Sequence, residues 1–376
     1  MLVAVVKETR EGESRVAMVP ELVGKLTGLG YQVAVEPEAG WLAQHTDDEY
    51  VEAGATIADD SLAQADVVLS VQPLTSQQVR LLQEGAATFS FLPAAQSLAE
   101  VGERRDLAIT SFAMELVPRI SRSQSMDALS SQALVAGYRC AVVAAGRLRR
   151  FFPLNMTAAG TVPPAEIVVL GAGVAGLQAI ATCKRLGAVV KGYDVRAAAA
   201  EEIASMGATA IELQLDTLEG AGGYAREMSA DRATRQQELL APYIAAADAL
   251  ITTAAVPGRQ APMLVTTAMV EQMKPGSVVV DLAADSGGNV EGSEPGSVVQ
   301  MGAAQVWGGS NVPSQMPGPA SKLYAQNLVN ILTLMTTEEG FAPDFGDEIV
   351  AGTCVTHAGQ VTHEATAALL EGEQSE

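Results

Sequence analysis

The sequence predicts an α/β protein with two doubly wound, mostly parallel sheets, and three observations carry that expectation. Short β-branched runs alternate with helix signals from Leu2 to Phe112. The alternation resumes at Ile167 through a glycine-rich turn. Two long helical runs, Met126 to Leu148 and Ser321 to Met335, connect the parts. Alternation of this kind builds parallel sheets with helices on both faces. At 376 residues the chain is also too long for one ordinary core. The expected division is residues 1–129, completed by 322–376, and residues 130–321.

In order, strands are expected at Leu2–Val6, Tyr31–Val35, Ala65–Val71, Thr88–Leu92 and Leu107–Phe112. Helices are expected from Pro20, at Asp47–Ala53, Ser76–Gln83 and Leu98–Glu103. After the first long helix, Asn155–Pro164 reads as a linker or hairpin. Strands Ile167–Leu170 and Val189–Tyr193 flank an apolar helix, and Ala197–Met206 is helical. Asp216 to Met228 is glycine-rich, polar and poorly periodic, the texture of a long functional loop. A helix at Thr234–Ile244, strands at Ala249–Ala254 and Val278–Ala283, and a last strand at Gln305–Trp307 follow. Pro317 opens the second long helix, and the tail from Phe345 to Glu376 ends in an acidic segment expected to fray.

Hydrophobic residues make up 48% and charged residues 18%, the balance of a packed globular chain. A net charge of −21 and a pI of about 4.5 argue against nucleic acid and against direct adhesion to anionic lipid. Any membrane association would run through a protein partner. Cys140, Cys183 and Cys354 are scattered, which suits a reducing cytoplasm and offers no zinc pattern. The N-terminus opens directly on a strand without a basic leader, and no twenty-residue stretch reads as a membrane span.

The chemistry concentrates in residues 165–196, AEIVVLGAGVAGLQAIATCKRLGAVVKGYDVR. Gly171 permits a tight turn, Gly173 lets backbone approach a pyrophosphate, and Gly176 lets the helix sit close on the strand. Val174 and Ala175 start a helix whose N–H groups and dipole favour the phosphates. Asp194 stands at the distance expected of the carboxylate that holds an adenosine ribose, followed by Val195. A carboxylate there selects NAD(H) over NADP(H), although Arg196 is a residue type that accommodates a 2′-phosphate. The expectation is a Rossmann-like domain. Ligands of such sheets bind beyond the strand ends, so Thr253, Ala254, Ala255 and the segment containing Asp285 are expected to line the same crevice.

Four further segments carry a family resemblance. Residues 7–20, KETREGESRVAMVP, resemble the N-terminus shared by alanine dehydrogenases and the NAD(H)-binding component of proton-translocating transhydrogenases. Residues 118–133, PRISRSQSMDALSSQA, resemble the transhydrogenase loop that meets the nicotinamide. Residues 222–228, GGYAREM, resemble its mobile loop, and residues 347–357, DEIVAGTCVTH, its tail. The resemblance implies that Arg119, Gln124 and Asp127 serve hydride transfer and bind the nicotinamide end beside Ser130. It also places Gly223 and Tyr224 in a lid. It implies NAD(H) on this chain, NADP(H) on a partner subunit, a membrane-spanning proton-channel subunit, a homodimer, and a cytoplasmic location peripheral to the inner membrane. Read alone, Arg119 and Asp127 would be an ordinary surface ion pair.

Between the two branches, chemistry discriminates. Oxidative deamination needs a carboxylate clamp and an acid/base group. Arg15 and Asp285 stand where the amino-acid enzymes have two such residues, but Gln72 and Pro93 stand in place of their Lys and His. Neither shuttles a proton. Sequence leaves open whether His45, His357 or His363 returns in space. The leading expectation is direct transfer between two nicotinamides. An amino-acid dehydrogenase and a non-catalytic NAD sensor are the alternatives.

Overall fold

The computed structural model describes residues 1–215, 230–256 and 258–373. The chain forms two compact units, Met1–Gln132 with Ser314–Glu376, and Ala133–Pro313.

The first unit opens with β1 (Leu2–Val5), β2 (Gln32–Val35), β3 (Thr56–Ile57), β4 (Val67–Leu69), β5 (Ala87–Ser90) and β6 (Thr110–Ala113). All pair in parallel, in the order β3-β2-β1-β4-β5-β6. This is the doubly wound order, with its switch point between β1 and β4. The crossover helices start on local signals. Pro20 occupies the first turn of Pro20–Gly28. Thr46 with Glu49, and Thr75 with Gln78, form capping boxes for the next two.

The second unit carries a hairpin, β7 (Asn155–Thr157) and β8 (Gly160–Val162), which resolves the linker-or-hairpin alternative. Then come β9 (Glu166–Leu170), β10 (Val189–Tyr193), β11 (Thr209–Ala210), β12 (Ala249–Thr252), β13 (Val278–Asp281), β14 (Val298–Met301) and β15 (Ala304–Gly308). Their order, β11-β10-β9-β12-β13-β15-β14, repeats the doubly wound pattern. Side chains of β9 alternate between two cores: Ile167 and Val169 join one, Val168 and Leu170 the other. A strand buried on both faces therefore reads as a continuous apolar run.

Two small pairs close the chain, β16 (Thr336–Thr337) with β17 (Gly340–Phe341), and β18 (Cys354–His357) with β19 (Gln360–Val361). β18 adds antiparallel to the outer edge of β6. The expectation that Gln305–Trp307 is the last strand is thus corrected, and antiparallel β14 precedes it. These strands are short and end in Gly or Thr, so they lack a long β-branched signature. The tail is ordered into a helix at Glu364–Glu373, and its last three residues lie outside the described residues.

Helix Ala128–Arg147 is, among the described residues, the one helix long and apolar enough by composition to cross a bilayer. That corrects the expectation that no such stretch exists. Packing explains its apolarity: Ala136, Cys140, Ala141 and Ala144 are buried in the second unit's core. Burial pushes the Cys140 and Cys183 thiols up to about 12, so they are inert apolar fillers.

Candidate functional site

At the switch point of the second unit, β9 lies between β10 and β12 and ends in the glycine turn. Gly171 has φ +93°, and a Cβ there would lie 2.8 Å from Thr253 Oγ1 and 2.9 Å from the Ala254 nitrogen. At Gly176 a Cβ would lie 1.8 Å from the Gly171 carbonyl oxygen. Gly173 differs, because a Cβ there meets nothing within 4 Å. The outer two glycines are therefore required by packing, while the central one leaves open space over the turn. Helix Val174–Arg185 begins at Gly173 without a side-chain cap, so its first-turn N–H groups have no side-chain acceptor there. An open cradle facing uncapped N–H groups fits a pyrophosphate.

Beyond β10, Asp194 Oδ2 accepts the Ala172 N–H at 2.7 Å. Asp194 Oδ1 accepts the Arg196 N–H and Arg196 Nε, both at 2.9 Å. Arg196 Nη2 also donates to the Ala172 carbonyl at 3.1 Å. The two side chains and the glycine turn are thus one bonded unit. They border a cavity of about 300 Å³ completed by Tyr193, Ile211, Leu213 and Arg232. The last three carry no motif and were missed by sequence reasoning. Val195 packs against the adjacent core.

On the other side of β9, the Thr253 hydroxyl donates to the Gly171 carbonyl at 3.1 Å, beneath the turn. Thr253 was expected among the cofactor contacts; its hydroxyl instead braces the turn. Ala254 is half-buried and Ala255 exposed. Exposed Asp285 accepts the Asn311 N–H at 2.7 Å. Neither Asp281 nor Asn289, both fully buried, was singled out as an individual residue, yet they organise these loops.

In the first unit, Arg119 Nε lies 4.0 Å from Asp127 Oδ2. Asp127 accepts the Ser130 N–H at 2.9 Å and its hydroxyl at 2.6 Å, the geometry of a helix cap for Ala128–Arg147. The structure therefore brings Arg119, Asp127 and Ser130 together. Gln124 is exposed on the preceding 3₁₀ segment, Ser121–Met126. That segment is held from helix Pro317–Leu334, where Asn327 and Asn330 donate to the Ser125 carbonyl at 2.9 and 2.8 Å. Gly223 and Tyr224 lie outside the described residues.

The first unit's own switch point is filled from within. Glu8 accepts the Val71 N–H at 2.5 Å and the Gln72 N–H at 3.3 Å. Arg15 is buried and bidentate to Glu13, with Nε–Oε1 2.8 Å and Nη2–Oε2 2.6 Å. Gln72 Nε2 donates to Glu13 at 2.7 Å, and Arg15 Nη1 to Gln132 at 2.8 Å. Burial alone would raise the Glu13 pKa, but Arg15 and Gln72 hold it down at about 2. Desolvation pushes Glu8 up to about 7. Pro93 precedes a 3₁₀ turn, Ala94–Gln96.

All three histidines belong to the first unit. His45 stands edge-on to Tyr50, His357 Nδ1 pairs with Thr110, and His363 Nδ1 pairs with Thr366. Among the described residues no group of three His, Cys, Asp or Glu is arranged to hold a metal.

Two family models match this architecture, "Alanine dehydrogenase/PNT, N-terminal domain" over residues 4–136 and "Alanine dehydrogenase/PNT, C-terminal domain" over residues 140–364. An NAD(P) transhydrogenase subunit alpha chain of Rhodospirillum rubrum is 48% identical over 97% of this chain and 98% of its own length. The solved transhydrogenase of Sinorhizobium meliloti superposes with a TM-score of 0.89 at 44% identity, covering 96% of this chain and all of that one. Alanine dehydrogenase 1 of Staphylococcus aureus is more distant, 29% identical over 98% of this chain and 96% of its own length. The chain belongs to the alanine dehydrogenase/PNT family and, within it, to the NAD(P) transhydrogenase alpha subunits.

Proposed function

We propose that this chain holds NAD(H) for direct hydride exchange with NADP(H) carried by a partner subunit, in a complex that couples the exchange to proton translocation. The observation that carries this reading over amino-acid dehydrogenation is the Glu13–Arg15 pair. A guanidinium already bidentate to a buried carboxylate has no free fork for a substrate carboxylate. Gln72 reinforces Glu13 where an acid/base residue would be needed.

NAD(H), when bound, supplies or accepts the hydride at its nicotinamide ring. The chain's own role is to bind, orient and exclude water. The uncapped N–H groups of Val174, Ala175 and Gly176 hold the pyrophosphate, and Asp194 accepts from the adenosine ribose. Arg119, Gln124, Asp127 and Ser130 hold the nicotinamide end, with no proton to shuttle, since hydride transfer between two such rings needs position rather than acid/base chemistry. Gly223 and Tyr224 close as a lid. The complex includes an NADP(H)-binding subunit and a membrane-spanning proton channel. The chain works as a homodimer on the cytoplasmic side, peripheral to the membrane.

The test is cyclic transhydrogenation with a purified NADP(H)-binding subunit. Hydride exchange that requires both proteins is the expected result. Robust reduction of NAD by L-alanine, with no exchange, would overturn the proposal.

A further inference from the structure

The order of strands in the second unit says where each portion of a dinucleotide must lie. Asp194 follows β10, the glycine turn follows β9, and β12 and β13 come next in the sheet. A ligand whose ribose meets Asp194 and whose pyrophosphate meets the turn extends its remaining half over the ends of β12 and β13. The structure of those ends is set by one buried side chain.

Asn289 Nδ2 donates to the carbonyls of Ala254 and Pro262, each at 2.8 Å. Its Oδ1 accepts the Ala254 N–H at 3.0 Å. One amide thus gives Ala254 both a donor and an acceptor, as a neighbouring strand would, just where the ladder between β12 and β13 has ended. Asn289 is itself fixed by Asp281, which accepts its N–H at 3.0 Å. Asp281 is fully buried and also accepts from Thr252 Oγ1, the Ala283 and Val290 N–H groups, and Ser293 Oγ at 2.6 Å. Those donors are all neutral. From Ala254 the connection runs through Thr253 to the Gly171 carbonyl.

We infer that Asn289 is a positioning residue for the nicotinamide half of bound NAD(H), acting through the Ala254 peptide. The adenosine half is held separately, by the Asp194 side of the sheet. This rests on the NAD(H)-binding reading above. It gives a signature that a general loss of stability would not: NADH and ADP affinities should separate.

The experiment is calorimetric titration of NADH and of ADP into the full chain and into Asn289→Ala and Asn289→Asp. Asn289→Asp keeps the shape and the bond from the Ala254 N–H but loses both donations. Both variants should bind ADP within about twofold of wild type and NADH at least tenfold more weakly. Thr266→Ala is the control, since Thr266 caps the short helix Thr267–Glu271 in the same unit. It should cost stability and leave the NADH-to-ADP ratio unchanged. Equal losses of both ligands in the Asn289 variants, or the same change of ratio in Thr266→Ala, would overturn the inference. A wild-type measurement covers variants that do not fold: NADH should slow hydrogen exchange over residues 253–262 beyond the protection given by ADP. Equal protection would overturn it. If the wild-type chain binds neither ligand, the functional reading itself fails, which is a different result.

Discussion

Arg196 Nε lies 2.9 Å from Asp194 Oδ1, so the arginine best placed to receive a 2′-phosphate is held by the carboxylate that repels one. Glu202 stands a further 3.9 Å from the same guanidinium. Wild-type chain should therefore bind NADH and discriminate against NADPH. Asp194→Ala should weaken NADH by roughly 1.5–3 kcal/mol, the worth of a charged hydrogen bond. It should also narrow the preference, because Arg196 loses its carboxylate partner. Equilibrium dialysis with both nucleotides reads both effects, and equal wild-type affinities would sink the assignment.

Gly173 and Gly176 should respond oppositely to alanine. Gly173 has φ −73°, and its Cβ would meet open space, so Gly173→Ala should fold with stability within about 0.5 kcal/mol of wild type. NADH binding should nevertheless fall at least tenfold (~1.4 kcal/mol), because the methyl stands where phosphate must approach. Gly176→Ala forces the Gly171 carbonyl aside and should cost about 1–3 kcal/mol of stability. Thermal melts paired with NADH titrations separate the two. A Gly173→Ala chain that binds NADH normally would remove the pyrophosphate from this turn.

The Glu13–Arg15 pair should show in acid. Glu13 is held at about 2 against an ordinary 4.5, so its stabilisation is full above pH 4.5 and disappears as pH falls through 2. Glu8, raised to about 7, works in the other direction: its contribution is full below pH 4.5 and lost as pH rises through 7. Glu13→Gln should cost about 3–5 kcal/mol at pH 7, since it removes the carboxylate from a buried guanidinium. Glu8→Gln should stabilise the chain at pH 8 and change little at pH 4. Urea midpoints at pH 3, 5 and 8 check all three effects.

Gln124 should matter for transfer more than for binding. It is exposed, on a segment anchored through the Ser125 carbonyl rather than through its own side chain. Gln124→Asn retains the amide with a shorter reach. NADH affinity by fluorescence should stay within about twofold, while stopped-flow transfer to a saturating NADP(H) partner should fall roughly 10²-fold, as near-attack geometry is sensitive to shifts of about 1 Å. Proportional losses of affinity and rate would make Gln124 a binding contact only.

Much of the second unit is legible in its sequence because local signals and the fold agree. Ile167–Leu170 is apolar on both faces, the glycines sit where only glycine fits, and Asp194 ends the next strand. Thr253 shows the limit: its place after β12 is readable, but the direction of its hydroxyl depends on the distant Gly171 carbonyl. Asn289 has no sequence signal, since its partners Ala254 and Pro262 lie 35 and 27 residues away. Arg15 is the reverse case. Its partner is two residues off, yet the segment reads as a substrate motif until the bidentate geometry is seen. β18 escapes because its pairing with β6 joins the two ends of the chain.

The split composition of the first unit has a consequence for synthesis. Residues 133–313 form one uninterrupted unit, whereas the first unit needs residues 314–376 as well as 1–132. Until those last residues leave the ribosome, Phe89, Phe112 and Met114 lack the cover of Tyr324, Leu328 and Ile331, and the β6 edge lacks β18. At roughly 5–20 residues per second, translation of the intervening segment leaves that surface bare for about 10–40 s. The portion of the chain made first is therefore finished last, and during that interval a holding chaperone has a defined apolar target.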